Sequence, residues 1–164
     1  MSSVEELLNL LIANNYSISS CESFTGGMFA NEITNIANAS KVYKGSIISY
    51  QNEIKENVVG VNSETLNTVG AISYECAQQM AKNTKKLFNS DICISFTGNA
   101  GPNPSEDKEV GLVYMGLAFD DELIVYKLNF EGSRHEIKEK SINFICERLI
   151  QKIKEKEQNE DIII

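Results

Sequence analysis

The 164-residue chain has one histidine, two prolines and no pair of closely spaced cysteines. A lone histidine cannot build a zinc site, and no Cys/His cluster accompanies it. That residue, His135, sits in a charged helix start and reads as solvated, so a Ser–His or Cys–His hydrolase would have to depend on it alone. The cysteines Cys21, Cys76, Cys93 and Cys146 form no C-x-x-C motif. The first residues, Met1-Ser2-Ser3-Val4-Glu5-Glu6, are acidic rather than basic-then-apolar, so no secretion signal is read there. The four cysteines are therefore expected to be reduced, mostly buried thiols of a cytoplasmic protein. No apolar run approaches the roughly 20 residues that cross a bilayer, so no membrane partner is expected. Positive charge is scarce too: 15 Lys and Arg against 23 Asp and Glu give a formal charge of -8. Such a surface repels phosphodiester backbones, and nucleic acid is not an expected partner. A small anion still fits, because local N–H groups and one arginine can outweigh net charge. The glycine-rich nucleotide fingerprints are absent, and no metal or other cofactor is expected.

What is present has the composition of one globular domain, 42% hydrophobic and 23% charged. Apolar spacing predicts a helix over 4–14, with Val4, Leu7, Leu8 and Leu11 on one face. A strand at 17–21 and a helix at 25–37 follow, then a strand at 42–50. Asn52 can cap a short helix to Val58, ended by Gly60. Ser73 starts a helix to about Phe88 with Tyr74, Ala77, Met80 and Ala81 inward. A strongly apolar strand at 91–97 leads into a polar loop at 98–109. Strands at 110–119 and 122–130 are joined by Asp120-Asp121, a hairpin signal. A final helix runs from Arg134 to about Lys156, with 157–164 expected as a flexible tail. Alternating strands and helices with a late hairpin predict a single-domain, three-layer α/β/α sandwich around a mixed β-sheet over 1–156.

Two stretches carry the chemistry, Cys21-Glu22-Ser23-Phe24-Thr25-Gly26-Gly27 and Phe96-Thr97-Gly98-Asn99-Ala100-Gly101-Pro102. Each follows a predicted strand, and open α/β sheets place their sites at strand carboxyl ends. Ser23 sits where a strand turns into a helix. Thr25 can cap that helix, and free N–H groups at its start can hold an oxyanion. Gly26 and Gly27 equally serve a plain tight turn. A serine needs a base to attack an amide, and Lys55 falls in the first turn after Asn52. The helix dipole disfavours its ammonium form, and partial burial lowers its pKa further. Lys55 can equally be a surface charge, and Tyr50 either a site residue or a core aromatic. Thr97, Gly98 and Gly101 offer a hydroxyl and approachable backbone for a polar ligand, or simple sheet punctuation. Arg134 can clamp a phosphate or carboxylate, or pair with Glu131 or Glu136 at the surface.

Together these motifs resemble the C-terminal domain of the CinA family, including its stand-alone nicotinamide-nucleotide amidases. The family pattern E-S-C-T-G-G is matched by Glu22-Ser23-Phe24-Thr25-Gly26-Gly27, with Phe24 for Cys. Y-S-N-x-x-K is matched by Tyr50-Gln51-Asn52-Glu53-Ile54-Lys55, and G-A-V-S by Gly70-Ala71-Ile72-Ser73. T-G-I-A-G-P is matched by Thr97-Gly98-Asn99-Ala100-Gly101-Pro102, with Asn99 for Ile. V-G-T-V-Y is matched by Val110-Gly111-Leu112-Val113-Tyr114, and G-x-R by Gly132-Ser133-Arg134. The likeness spans about Leu7 to Ile153. It implies hydrolysis of the carboxamide of nicotinamide mononucleotide to nicotinate mononucleotide and ammonia. Ser23 is implied as nucleophile and Lys55 as base, with Tyr50, Thr97 and Arg134 as site residues, and Cys21 and His135 as bystanders. A homodimer is the expected assembly and a pyridine nucleotide the expected small-molecule partner. The alternative is a non-catalytic nucleotide-binding or competence-associated protein on the same fold. The chain departs from the pattern at Asn99, in the loop 103–108 that replaces a glycine-rich stretch, and at Lys138, where many members carry a second arginine.

Overall fold

The computed structural model describes residues 1–163, with side chains through residue 160. Five strands form one sheet in the order β2-β1-β3-β4-β5. They are β1 (Ile18–Glu22), β2 (Tyr43–Ile48), β3 (Ile92–Gly98), β4 (Leu112–Phe119) and β5 (Glu122–Asn129). β1 pairs parallel with both β2 and β3, while β3–β4 and β4–β5 pair antiparallel. The sheet is mixed, as the late hairpin predicted. The parallel trio brings three strand carboxyl ends to one edge, and the site is built there.

Side chains alternate across the sheet, so each face has its own chemistry. On one face Ile18, Ile92, Ile94, Phe96, Val113, Met115, Leu117 and Phe119 are buried in the larger core. That core is closed by α1 (Ser3–Asn14), α2 (Met28–Thr34) and α6 (Arg134–Ile163). α1 starts where expected, its N-cap Ser2 accepting from the Glu5 N–H, and it buries Val4, Leu7, Leu8 and Leu11. The other face is small and polar. Ser19, Cys21, Cys93, Ser95 and Ala118 are buried there, and a Cβ on Gly116 would come within 2.6 Å of the Ala77 carbonyl. Only a face this low lets α5 (Tyr74–Phe88) lie so close to the strands.

α5 is capped by Ser73, whose hydroxyl accepts from the Cys76 N–H, and its inner stripe is Cys76, Ala77, Met80, Ala81 and Thr84. Tyr74, expected inward, is the first helical residue and stands 45% exposed. The expected helix over 25–37 is shorter. Gly26 and Gly27 adopt left-handed φ of 61° and 100°, so helical geometry starts only at Met28. Asn52 caps nothing; it is the first helical residue of α3 (Asn52–Ile54), and Gln51 occupies the cap position without a side-chain bond. α3 runs into a π turn at Lys55–Val59, which Gly60 ends in the left-handed region as expected. A further short helix, α4 (Ser63–Thr68), was not read from the sequence. α6 continues as helix past Lys156 to Ile163, with no glycine or proline to stop it. Asn14 donates to Glu157 at 2.7 Å and Lys154 pairs with Glu6 at 3.1 Å, pinning this stretch to α1. Residue 164 lies outside the described residues. No helix among the described residues is long and apolar enough to cross a membrane.

Candidate active site

A cavity of about 310 Å³ opens at the carboxyl ends of β1, β2 and β3. Ser23, Tyr50, Lys55, Thr97, Gly98, Gly101 and Arg134, drawn from four separate stretches of sequence, all line it. Thr25, Gly26 and Gly27 do not. Thr25 is buried and donates its hydroxyl to Glu22 Oε1 at 2.8 Å instead of capping α2. A Cβ on Gly26 would lie 3.6 Å from Lys138 Nζ, so Lys138 sits against that turn.

The cap on α2 is Glu22, a residue that sequence reasoning passed over. Its fully buried carboxylate accepts from the Phe29 and Ala30 N–H groups, both at 3.1 Å, and from the hydroxyls of Ser20 and Thr25. The start of α2 is therefore already occupied by an internal carboxylate and is not open to a substrate oxyanion. Other donors are open. Among the described residues, the backbone N–H groups of Phe24 and Ala100 meet no protein acceptor, although both residues are buried and line the cavity.

Ser23 stands just past β1, and its N–H donates to the Phe96 carbonyl at 2.9 Å. Among the described residues, its hydroxyl meets no hydrogen-bond partner. Lys55 is 2% exposed, an unusual state for a lysine. Its Nζ donates to the Tyr50 carbonyl at 3.0 Å and makes no direct hydrogen bond to Ser23. Burial pushes the Lys55 ammonium below the ordinary lysine range, partly opposed by the neighbouring Cys76, Cys21 and Glu106. Of the two causes read from the sequence, the helix dipole and partial burial, burial is the one that lowers it here. Burial also pushes the Cys21 thiol up, which makes it a poor nucleophile. His135 is exposed and faces Glu139 on the same helix, away from the cavity lining.

Arg134, the first residue of α6, reaches across the cavity mouth. It donates to the Gly101 carbonyl and to the Tyr50 hydroxyl, the latter at 2.8 Å, rather than pairing with Glu131 or Glu136. Tyr50 is 57% exposed, so it belongs to the mouth and not to the core. Thr97 is buried and spends its donor on the Ala71 carbonyl at 2.7 Å. It builds the wall from within, leaving oxygen lone pairs as its only free function. Asn99, in place of the pattern's isoleucine, is 6% exposed and accepts from the Gly101 N–H at 3.0 Å, tightening its own loop. Phe24, in place of cysteine, packs into the larger core.

The opposite wall, Ala71 and Ile72, is held by two more residues that sequence reasoning missed. Glu106 accepts from the N–H groups of Ala71 and Ile72, both at 2.9 Å. Lys108 donates to the carbonyls of Val69 and Ile72 and lies 3.3 Å from Glu106. Burial alone would raise the Glu106 carboxyl, but the Ile72 and Ala71 N–H groups and Lys108 outweigh it and hold it below the usual carboxylate range. In sequence these residues looked like an ordinary polar loop. Two opposite charges spaced i, i+2 within the predicted polar loop were the only available signal.

The model of the CinA C-terminal domain family matches residues 1–153, through the helix that carries Arg134. The chain belongs to the CinA C-terminal domain family. A competence-damage inducible protein of Bacillus cytotoxicus is 45% identical over 149 residues, covering 90% of this chain and 36% of the relative. One of Bacillus mycoides is 44% identical over the same length, with the same coverage. The chain thus spans about a third of the length of these curated CinA relatives. Among solved structures, a CinA superfamily protein of Klebsiella pneumoniae superposes with a TM-score of 0.90 at 27% identity, covering 94% of this chain and 99% of that one. The competence/damage inducible protein CihA of Agrobacterium tumefaciens gives 0.85 at 31% identity, covering 92% and 96%.

Proposed function

We propose that this CinA domain hydrolyses the carboxamide of nicotinamide mononucleotide to nicotinate mononucleotide and ammonia, with Ser23 as nucleophile and Lys55 as base. The observation that carries the reading is the shared cavity of a serine with a free hydroxyl and a buried lysine whose ammonium form is disfavoured. A neutral Lys55 can take the Ser23 proton as Oγ attacks the carboxamide carbon, and the resulting ammonium can return it to the leaving nitrogen as the C–N bond breaks and ammonia departs; water, deprotonated by the same lysine, then cleaves the acyl-serine ester to nicotinate mononucleotide and free Ser23. Lys55 Nζ is bonded to the Tyr50 carbonyl and not to Ser23, so to act as the base it must exchange that bond within the cavity the two residues share. The open N–H groups of Phe24 and Ala100 suit the developing oxyanion. One comes from the residue after the nucleophile and one from a neighbouring loop, an arrangement known from other serine hydrolases. Arg134 at the mouth supplies a guanidinium for the phosphate once it exchanges its present bonds.

The test is release of ammonia from nicotinamide mononucleotide by the purified protein and by Ser23→Ala. Loss of a covalent nucleophile should cut turnover by about a thousandfold or more while the nucleotide still binds. Near-normal turnover in Ser23→Ala would rule out the covalent serine route. No turnover by the parent protein, with tight nucleotide binding retained, would favour a binding role for the domain.

A further inference from the structure

The hairpin around Glu106 is built at a conformational cost that its surroundings explain. Ser105 and Lys108 bridge antiparallel, the Lys108 N–H donating to the Ser105 carbonyl at 2.9 Å. The two residues between them, Glu106 and Asp107, both adopt left-handed φ, 56° and 57°. Tight hairpins of this kind normally use Asn-Gly, because side chains resist that region. Backbone strain of this sort persists where other contacts over-determine it, commonly beside functional sites. Here the contacts are the two N–H bonds to the Glu106 carboxylate and the two carbonyl bonds to Lys108. They fasten the loop after β3 to the turn before α5. Ala71 is thereby gripped at both ends, its N–H by Glu106 and its carbonyl by Thr97. Glu106 is also the one carboxylate among the cavity-lining residues, and it shares that lining with Lys55.

We propose that Glu106 is a positioning residue that acts on Lys55 twice, by clamping the cavity wall and by the negative charge it brings, with Lys108 as the counterweight to that charge. The proposal rests on the reading of Lys55 as the base. Around Lys55 are the Cys21 thiol from β1, the Cys76 thiol from α5 and the Glu106 carboxylate from the hairpin, and a negative charge on any of them makes its ammonium form easier to hold. Burial pushes the thiols of Cys21 and Cys76 up, leaving them protonated near neutral pH, so Glu106 is the full negative charge of the three. Facing Glu106 is Lys108, and Arg134 lines the cavity from α6. Removing Glu106's charge should therefore make Lys55 harder to protonate, and removing Lys108's charge should make it easier.

The experiment follows the Lys55 Cε signal by NMR across a pH titration of ¹³C-lysine-labelled full-length protein, assigned by its absence in Lys55→Met. Glu106→Gln keeps the shape and one acceptor; its Lys55 midpoint should fall by about half a pH unit or more. Lys108→Met should move the midpoint up by a similar amount. Opposite shifts are a signature that simple loosening of the wall cannot produce, because loosening hydrates Lys55 in both variants and moves both midpoints up. Unchanged midpoints, or shifts of the same sign, would overturn the proposal. If Glu106→Gln fails to fold, Lys108→Met is read against Lys108→Arg, which disturbs the fit but keeps the charge: a rise in Lys108→Met without one in Lys108→Arg supports the proposal, and equal rises or no change overturn it. The acid limb of kcat/KM for nicotinamide mononucleotide, measured on the same variants, separates the two readings. Shifts seen by NMR but absent from the rate profile would leave Glu106's effect standing and remove Lys55 as the base.

Discussion

At the scale of single residues the site departs from ordinary chemistry at Lys55. A lysine that is 2% exposed sits where an ammonium is costly, and its pKa is lowered by burial. That shift is also a statement about stability. Unfolded, Lys55 holds its proton up to about pH 10.4; folded, it releases it earlier. Between the lowered folded value and that pH, the unfolded chain binds more protons, so folding gains stability as pH rises. Lys55→Met removes this dependence. The parent protein should therefore gain stability relative to Lys55→Met as pH climbs toward 10, by up to about 1.4 kcal/mol per pH unit. Paired denaturant titrations at several pH values measure it, and parallel stability curves would mean that Lys55 is not depressed. The residue identities of this site were largely legible in the sequence, because Ser23, Tyr50, Lys55 and Arg134 fall in ordered motifs at strand ends. The partners that hold them were not. Glu22, Glu106 and Lys108 look like ordinary surface charges until the chain folds, since what distinguishes them is backbone N–H and carbonyl groups from remote segments.

At the scale of elements, local signals succeeded where one side chain decides the outcome and failed where geometry does. Ser73 caps α5 and Asp120-Asp121 turns the hairpin, both as read. α2 begins late because the two glycines before it take left-handed φ, and the π turn carrying Lys55 has no sequence signature of its own. The 105–108 hairpin is a case where the chain opposes its own preference. Asp107 is held at φ 57°, and its side chain makes no hydrogen bond among the described residues. Asp107→Gly should relax that residue and stabilise the protein by roughly 0.5–1 kcal/mol, offset in part by the added freedom of the unfolded chain. A rise in melting temperature with unchanged turnover is the expected result, and a fall would show that Asp107 has a contact the turn requires.

At the scale of the whole molecule, the three layers were predictable from the alternation of elements, but the asymmetry of the two faces was not. One face is packed with large aliphatic and aromatic side chains, whereas the other is kept low by serine, cysteine, alanine and glycine so that α5 can approach. Gly116 marks the limit of that approach. A methyl there would come within 2.5 Å of Ser95 Oγ and 2.6 Å of the Ala77 carbonyl, and would break the bond between them. Gly116→Ala should cost about 1–3 kcal/mol in chemical denaturation, as overpacking does; a neutral result would mean that α5 is more loosely docked than its contacts imply. The order of the sheet has another consequence. The cavity draws on the ends of the three parallel strands and takes no residue from β4 or β5. Phe119 pairs with Ile92 and Val113 with Gly98, so the Asp120-Asp121 turn lies at the opposite end of the sheet, roughly 20 Å from the cavity. That turn is a natural port of attachment. A short glycine-serine insert carrying a dye or a tether between Asp120 and Asp121 should leave turnover intact, giving a handle for watching or immobilising the protein while its working end stays open to solvent.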